Sequence, residues 1–479
     1  MIMLNFIENI LCHFESCFSR KAAFRWFVTI TIGLMLRSDK LGVSSVIRDL
    51  ALSPGCYDSM LHFFRASSWS LDSIRKRWFS AIRQYSPLYT EGGFHVLVGD
   101  GVKQSKEGRR MPGVKKLFQE SENSAKPQYI HGHMFGGLGI LAGSVRNWAC
   151  IPLSIRLHDG LQAAREWKGA SVSAASHVVQ MVEDAYHAAL TFGDSLLLLD
   201  RYFLTVPALE KLCAFNNSGS VRMEIITKAK KSCTAFEKPG PRRPVRGRPP
   251  KRGAAVHLTE LFISRREQFQ EAEMELYGKR ESVRYYCIDL LWGQKLYQEL
   301  RFVLVEMDGV QSILASTSLA LDPLAIIRLY SYRFRIECTF RELKQQIGAF
   351  CYHFWSKYMP KLSYYQKKGE SSPLERVEDE KSQEKILEAV RAIEMHMALS
   401  CIAMGILQSL SIRFIGKVSS SQIRYQRTPS RGRVSEGTLM HYFRKHFFRL
   451  MEKKPGLCIT QIIHGLQEEP EEQWDSLAS

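Results

Sequence analysis

The chain has 479 residues, 45% hydrophobic and 24% charged, a composition that can bury a core and is too apolar for a disordered chain. Lys and Arg outnumber Asp and Glu by 18 charges, a field suited to a polyanion, nucleic acid first and an anionic membrane surface second. Membrane insertion and secretion are not expected: the apolar run 26–36 falls short of the roughly 20 residues of a span, and Glu8 and Glu15 precede the first Arg at position 20.

The eleven cysteines are scattered without a Cys-x-x-Cys pair, which reads as reduced thiols in a cytoplasm rather than a disulfide framework or zinc module. Residues 1–92 read as helical. Within them, 42–52 and 56–65 flank Ser53-Pro54-Gly55, a pattern shared by a DNA-reading helix-turn-helix and by any helical hairpin. From residue 93 the pattern changes. Residues 94–101 form a short apolar strand ending at Asp100 and Gly101; 129–142 and 147–157 read as strands and 175–190 as a helix. Ser195-Leu-Leu-Leu-Leu-Asp200 is a continuous apolar strand, the kind covered on both faces, again ending in an acid. A helix (206–215) and a strand (221–227) follow, so residues 93–229 point to an α/β core.

Residues 230–316 read as a β-rich insertion. Residues 239–253 hold six cations, five prolines and three glycines without an acid, a composition that forms no packed element. Within it Arg246-Gly-Arg248-Pro-Pro-Lys251 can be read as a minor-groove hook or as a loop touching phosphates without sequence preference. Strands are expected at 283–291, 302–306 and 311–316, the last two joined at Asp308-Gly309. Residues 317–412 hold two helices. The first is capped by Asp322, begins with Pro323 and stops at Gly348; the second covers 386–412 after a polar linker at 366–385. Residues 413–479 combine a cation-rich stretch, suited to DNA or to a second protomer, with an acidic tail.

The helix ending at Gly348 carries the most information. At about 100° per residue, Leu329, Ile336, Phe340, Leu343 and Ile347 fall on one apolar stripe. Tyr330, Arg333, Glu337, Arg341 and Lys344 fall on a second face, rotated by roughly a quarter turn or more. Alone, that face is a solvated surface with Glu337 paired to a neighbouring Arg. Asp100 and Asp200 change the reading, because each ends an apolar strand where a sheet presents side chains to a site. Three carboxylates form a hard-oxygen site for Mg²⁺ or Mn²⁺, ions that can hold the attacking and leaving oxygens of a phosphodiester. The cations beside Glu337 would then contact the phosphates entering a negatively charged site.

These residues resemble the DDE transposases of bacterial insertion sequences, in the cut-and-paste group marked by Tyr-x2-Arg-x3-Glu-x6-Lys, here Tyr330, Arg333, Glu337 and Lys344. The first family acid matches Asp100 in Leu-Val-Gly-Asp-Gly, and the second matches Asp200 in Leu-Leu-Asp-Arg-Tyr-Phe. Many relatives follow the first acid with Asp, Ser or Thr, whereas this chain has Gly101-Val102-Lys103. The resemblance spans roughly residues 90–410 and, more loosely, the helical N-terminal region. It implies a ribonuclease-H-like core interrupted by the insertion, with Asp100, Asp200 and Glu337 around two divalent ions, Mg²⁺ or Mn²⁺. It implies cutting of double-stranded DNA at the element's terminal repeats and transfer into target DNA, by a homodimer in the DNA complex. Arg333, Arg341 and Lys344 would bind phosphates, Tyr330 a phosphate or displaced base, and Arg246, Arg248 and Lys251 the DNA backbone or minor groove. Trp292 is the candidate for stacking on a flipped base, with a core position as its alternative. His131-Gly-His133 has ligand-capable spacing but no third ligand, and is expected to be structural. Two competing functions are a DNA-binding repressor that has lost catalysis and a metal-dependent nuclease without strand transfer.

Overall fold

The computed structural model describes residues 2–40, 42–119, 127–144, 147–167, 176–240, 249–363, 372–418 and 434–468. Five helices open the chain: α1 (Ile2–Cys12), α2 (Lys21–Leu36), α3 (Ser44–Asp49), α4 (Cys56–Arg65) and α5 (Leu71–Tyr85). In α4, Met60, Phe63 and Phe64 recur at helical spacing and are buried, leaving Tyr57, His62 and Arg65 outside. In α2 nearly every residue after the first turn is buried.

A mixed sheet follows: β1 (Thr90–Glu91), β2 (Phe94–Ser105), β3 (Lys115–Phe118), β4 (Tyr129–Ala142) and β5 (Ala149–Leu157), then α6 (Gln162–Glu166), α7 (His177–Phe192), β6 (Ser195–Leu198), α8 (Val206–Ser218) and β7 (Met223–Lys228). β5, β4 and β2 are antiparallel neighbours, while β2, β6 and β7 run parallel, with Val98 opposite Leu198 and Leu198 opposite Ile226. Leu196–Leu199 are fully buried, as a parallel strand covered on both faces requires.

The next strands are β8 (Thr234–Phe236), β9 (Ala255–His257), β10 (Gln270–Leu276), β11 (Lys279–Trp292), β12 (Gln298–Met307) and β13 (Val310–Ser316), with a helical turn, α9 (Leu261–Ser264), among them. The expected turn at Asp308-Gly309 is present, with φ of 49° and 74°. The chain closes with α10 (Pro323–Tyr332), α11 (Phe334–Glu342), α12 (Glu380–Arg413), α13 (Glu436–Glu452) and α14 (Cys458–His464). α12 is long and apolar enough to cross a membrane, yet 94% of its most apolar window is buried inside the protein, where it packs on β5 and α2.

Three expectations need correction. β2 does not stop at Asp100; it continues antiparallel to β4 as far as Ser105, so Gly101-Val102-Lys103 is strand and not loop. The strands of 230–316 continue the same sheet, because β13 pairs with β7, which makes one thirteen-stranded sheet. Within it β10 escaped notice although Glu271 to Leu276 alternate polar and apolar, because Glu, Ala, Met and Leu are helix formers rather than strand formers. The helix before Gly348 is not one regular cylinder. It tightens at Arg333, where Arg333 N–H donates to Tyr330 O and Ile336 N–H to Arg333 O, and it widens into a π-turn over Leu343–Ile347 before Gly348 ends it at φ 62°. Its predicted cap holds, since the Asp322 carboxylate accepts from Leu324 and Ala325 N–H. Finally, the expected linker already contains a helical turn at Pro373–Arg376 and the start of α12 at Glu380.

Candidate active site

Asp100 lies within β2 just past the point where its parallel pairing with β6 stops, and Asp200 follows the carboxyl end of β6, the side of an open α/β sheet where ligands bind. Parallel pairing ends at Val98 and Leu198, two residues before each acid. Opposite Asp100 on β4 stands Gly137. A Cβ there would come within 2.5 Å of the Phe340 ring, so glycine is what lets α11 lie this close to the sheet. The predicted apolar stripe, from Leu329 to Ile347, is buried beneath it. Glu337, one turn before Phe340, is thereby carried toward Asp100.

Arg333 joins the two. Its Nη1 donates to Asp100 Oδ2 at 3.2 Å and its Nη2 to Glu337 Oε1 at 2.5 Å. Burial pushes Asp100 up to about 6, against the pull of Arg333 and of the Gly101 N–H, which donates to Oδ1 at 2.8 Å; Asp200 and Glu337 add to the rise. Burial works against the Arg333 charge, but Asp100, Tyr330 and Glu337 together hold its proton above the ordinary range. Tyr330 is pushed up by burial, with Arg333 opposing and Asp200 adding. The three acids, Arg333 and Tyr330 therefore act on one another in one place, with carboxylates in excess over guanidinium.

A cleft of about 420 Å³ opens from Asp100 and Asp200 past Lys103, Lys115 and Lys116. Lys103 Nζ donates to Phe118 O at 2.7 Å, and Lys115 pairs with Asp159 at 2.7 Å. Behind the acids His177 wedges between two segments. A Cβ at Gly101 would lie 2.8 Å from its Nε2, and its ring is 5.3 Å from that of Phe203. His177 Nδ1 meets His158 Nδ1 at 2.8 Å, and His158 Nε2 meets Asp184 Oδ2 at 2.9 Å. Asp184 in turn pairs with Arg156.

The remaining predicted residues are dispersed. Arg341 is exposed and pairs with Glu342 at 3.5 Å, while Lys344 Nζ lies 5.4 Å from the Phe350 ring centroid. Trp292 stands at the opposite end of β11 from the hairpin that approaches Glu337. It packs partly buried on a second apolar cluster, in which Cys233 also takes part. Lys251 is exposed near the β8–β9 edge, and Arg246 and Arg248 lie outside the described residues. His133 is structural as expected: it is buried, with Nδ1 2.6 Å from the Tyr352 hydroxyl and Nε2 2.9 Å from Pro112 O.

Several residues at the site were missed. Lys228 ends β7 beside Asp200, and the strand-end argument that picked out Asp200 applies to it equally. Lys115 and Lys116 come from an edge strand too short to detect. Tyr277 sits at the tip of the β10–β11 hairpin, 61% exposed, within electrostatic reach of Arg333 and Glu337. The Tyr277-Gly278 pair between two alternating strands was its available signal.

A family profile described as DDE superfamily endonuclease matches residues 13–280, a span that includes Asp100 and Asp200 and ends before Glu337. No curated protein and no solved structure matches the chain significantly. With more than half of its length matched, the chain belongs to the DDE superfamily of endonucleases, which act on DNA and generally use divalent metal ions.

Proposed function

We propose that this chain is a cut-and-paste transposase of the Tyr-Arg-Glu-Lys group from a bacterial insertion sequence. The observation that carries the reading is Arg333 bridging Asp100 and Glu337, with Asp200 and Tyr330 coupled to the same cluster. The strand order β5-β4-β2-β6-β7, antiparallel on one side of β2 and parallel on the other, supports a ribonuclease-H-like core. Around it the helical N-terminal region binds DNA ends, residues 230–316 form the insertion, and the basic C-terminal region serves DNA or a second protomer. The enzyme works in the bacterial cytoplasm as a homodimer joining two terminal repeats.

The three acids offer the hard oxygen ligands that Mg²⁺ or Mn²⁺ takes, although their oxygens do not all lie within 4.8 Å of one another here, so Asp100, Asp200 and Glu337 would hold a pair of ions. When bound, such ions polarise the attacking oxygen and neutralise charge on the leaving one. Arg333 keeps Asp100 and Glu337 aligned and meets the scissile phosphate from the protein side. Lys103, Lys115, Lys116 and Lys228 guide the DNA backbone into the cleft, and Arg341 and Lys344 contact it farther along α11. Tyr277 is the better-placed aromatic for a displaced base, in the role first given to Trp292. No protein nucleophile is required, since water and then the freed 3′-hydroxyl attack phosphorus directly.

The test is strand cleavage and joining with DNA carrying the gene's flanking ends, Mg²⁺ or Mn²⁺, and wild type beside Glu337→Gln. Metal-dependent nicking and joining that vanish in the variant, with binding retained, support transposition. Nicking without joining points to a nuclease, and binding without cutting by wild type points to a repressor of element ends.

A further inference from the structure

A second cavity stands apart from the cleft that holds Asp100 and Asp200. It is a hollow of about 640 Å³ between α4 and residues 352–358, the segment that follows the π-turn, with the start of α12 as its floor. Two aromatic side chains stand open in it, Trp355 at 59% exposure and Tyr57 at 43%. Arg65 and Lys357 line the same hollow and are exposed. Among the described residues its one lining carboxylate, Glu388, is held by Lys385 Nζ at 2.8 and 3.0 Å.

This combination has a chemical reading. Aromatic faces accept the face of any nucleobase, and exposed Arg and Lys accept phosphate. A fixed carboxylate accepts from an exocyclic amine. The volume lies in the range that encloses a small ligand, whereas a base still stacked in a duplex cannot enter. The hollow is also tied to the catalytic strand. Lys106, the residue after β2, donates to Phe350 O at 2.6 Å and Tyr352 O at 3.0 Å and lies 3.5 Å from the Tyr352 ring centroid. Tyr352 forms part of the hollow's wall. From Asp100 to Lys106 an extended chain covers roughly 20 Å at about 3.3 Å per residue, or about six nucleotides of DNA.

We propose that this hollow holds one unstacked nucleotide of the bound DNA, its base against Trp355 and Tyr57 and its phosphate on Arg65 and Lys357, about six nucleotides from the scissile phosphate. The proposal rests on the reading of the protein as a DNA-cutting enzyme but concerns a site separate from the cutting residues.

The experiment uses the full chain and DNA carrying the flanking ends, with 2-aminopurine placed singly at each position from three to ten nucleotides from the cut. Fluorescence and binding are compared for wild type, Trp355→Ala, Tyr57→Ala, Trp355→Phe and Glu337→Gln, with circular dichroism as the folding control. Support is a fluorescence change confined to one or two neighbouring positions, lost in Trp355→Ala and Tyr57→Ala with about 5- to 100-fold weaker binding, and kept in Trp355→Phe and Glu337→Gln. An unchanged profile and affinity in both alanine variants overturns the hollow while leaving DNA cutting intact. Absence of DNA binding by wild type overturns both.

Discussion

Arg333 and Asp100, 233 positions apart in the chain, meet at 3.2 Å, and the same guanidinium reaches Glu337 one turn along its own helix. A planar fork spans two carboxylates; a single ammonium does not. Arg333→Lys and Arg333→Ala are both expected to lower cleavage, the alanine by about 10²-fold or more, as for loss of one preorganised charge contact. At pH 8 metal binding should persist in both, because a positive neighbour of Asp100 and Glu337 has been removed and all three carboxylates remain. Calorimetry with Mn²⁺ alongside a cleavage assay separates the two effects. Metal binding lost together with cleavage would show that Arg333 builds the carboxylate site rather than acting on phosphate.

The metal-free site should be sensitive to pH. Asp100 is raised from 3.8 to about 6 in the folded protein, so the fold gains proton-linked stability that is complete below pH 3.8 and lost as pH rises through 6. The loss is at most about 3 kcal/mol, at about 1.4 kcal/mol per unit. A divalent cation must displace that proton below pH 6 and meets a free carboxylate above it. Thermal unfolding with and without Mn²⁺ should therefore show a larger metal-induced rise in Tm at pH 7.5 than at pH 5, and Asp100→Asn should flatten the difference. An equal metal effect at both pH values would remove Asp100 from the ligand set.

Much of the fold could be read from local pattern, and the parts that could not have physical reasons. The buried parallel strand ending before Asp200 and the capped start of α10 are signalled within a few residues, by continuous Leu and by Asp-Pro. Placing Tyr330, Arg333, Glu337, Arg341 and Lys344 on one face assumes equal rotation per residue. The tightening at Arg333 and the π-turn after Glu342 break that assumption, which is why Lys344 lies over Phe350. Pairing across the sheet was invisible for a different reason. No local signal says that β13 will pair with β7, or that a glycine at 137 makes room for a phenylalanine 203 positions later.

Gly101 offers a sharper probe of how the two aspartates are spaced. A methyl at this position would meet His177 Nε2 at 2.8 Å and Met134 Cε at 2.7 Å, and His177 is held from behind by His158, Asp184 and Arg156. Met134 can swing away, but the imidazole cannot without leaving that buried chain. Gly101→Ala should cost about 1–3 kcal/mol of stability as overpacking and lower cleavage disproportionately by shifting Asp100. The double variant Gly101→Ala, His177→Ala opens the space again and should recover part of the activity. Equal additive losses in the two single variants and their combination would rule out the wedge.

Tyr277 and Trp292 lie on the same hairpin, and their roles divide by position. Tyr277 has a φ of 52°, a conformation that costs a bulky residue energy and that Gly or Asn adopts more easily. It is exposed beside Arg333 and Glu337, whereas Trp292 is packed against a second core at the other end of β11. Tyr277→Asn should raise stability by about 1 kcal/mol, since the turn is relieved and no core contact is lost. The same change should lower cleavage of duplex ends by about 10-fold, the value of one base–aromatic contact. Trp292→Ala should do the reverse, lowering stability by a few kcal/mol through lost packing and leaving the cleavage rate of the folded fraction near that of wild type. Urea unfolding and single-turnover cleavage on both variants decide the matter: a stable Trp292→Ala with slow cleavage would return the stacking role to the indole.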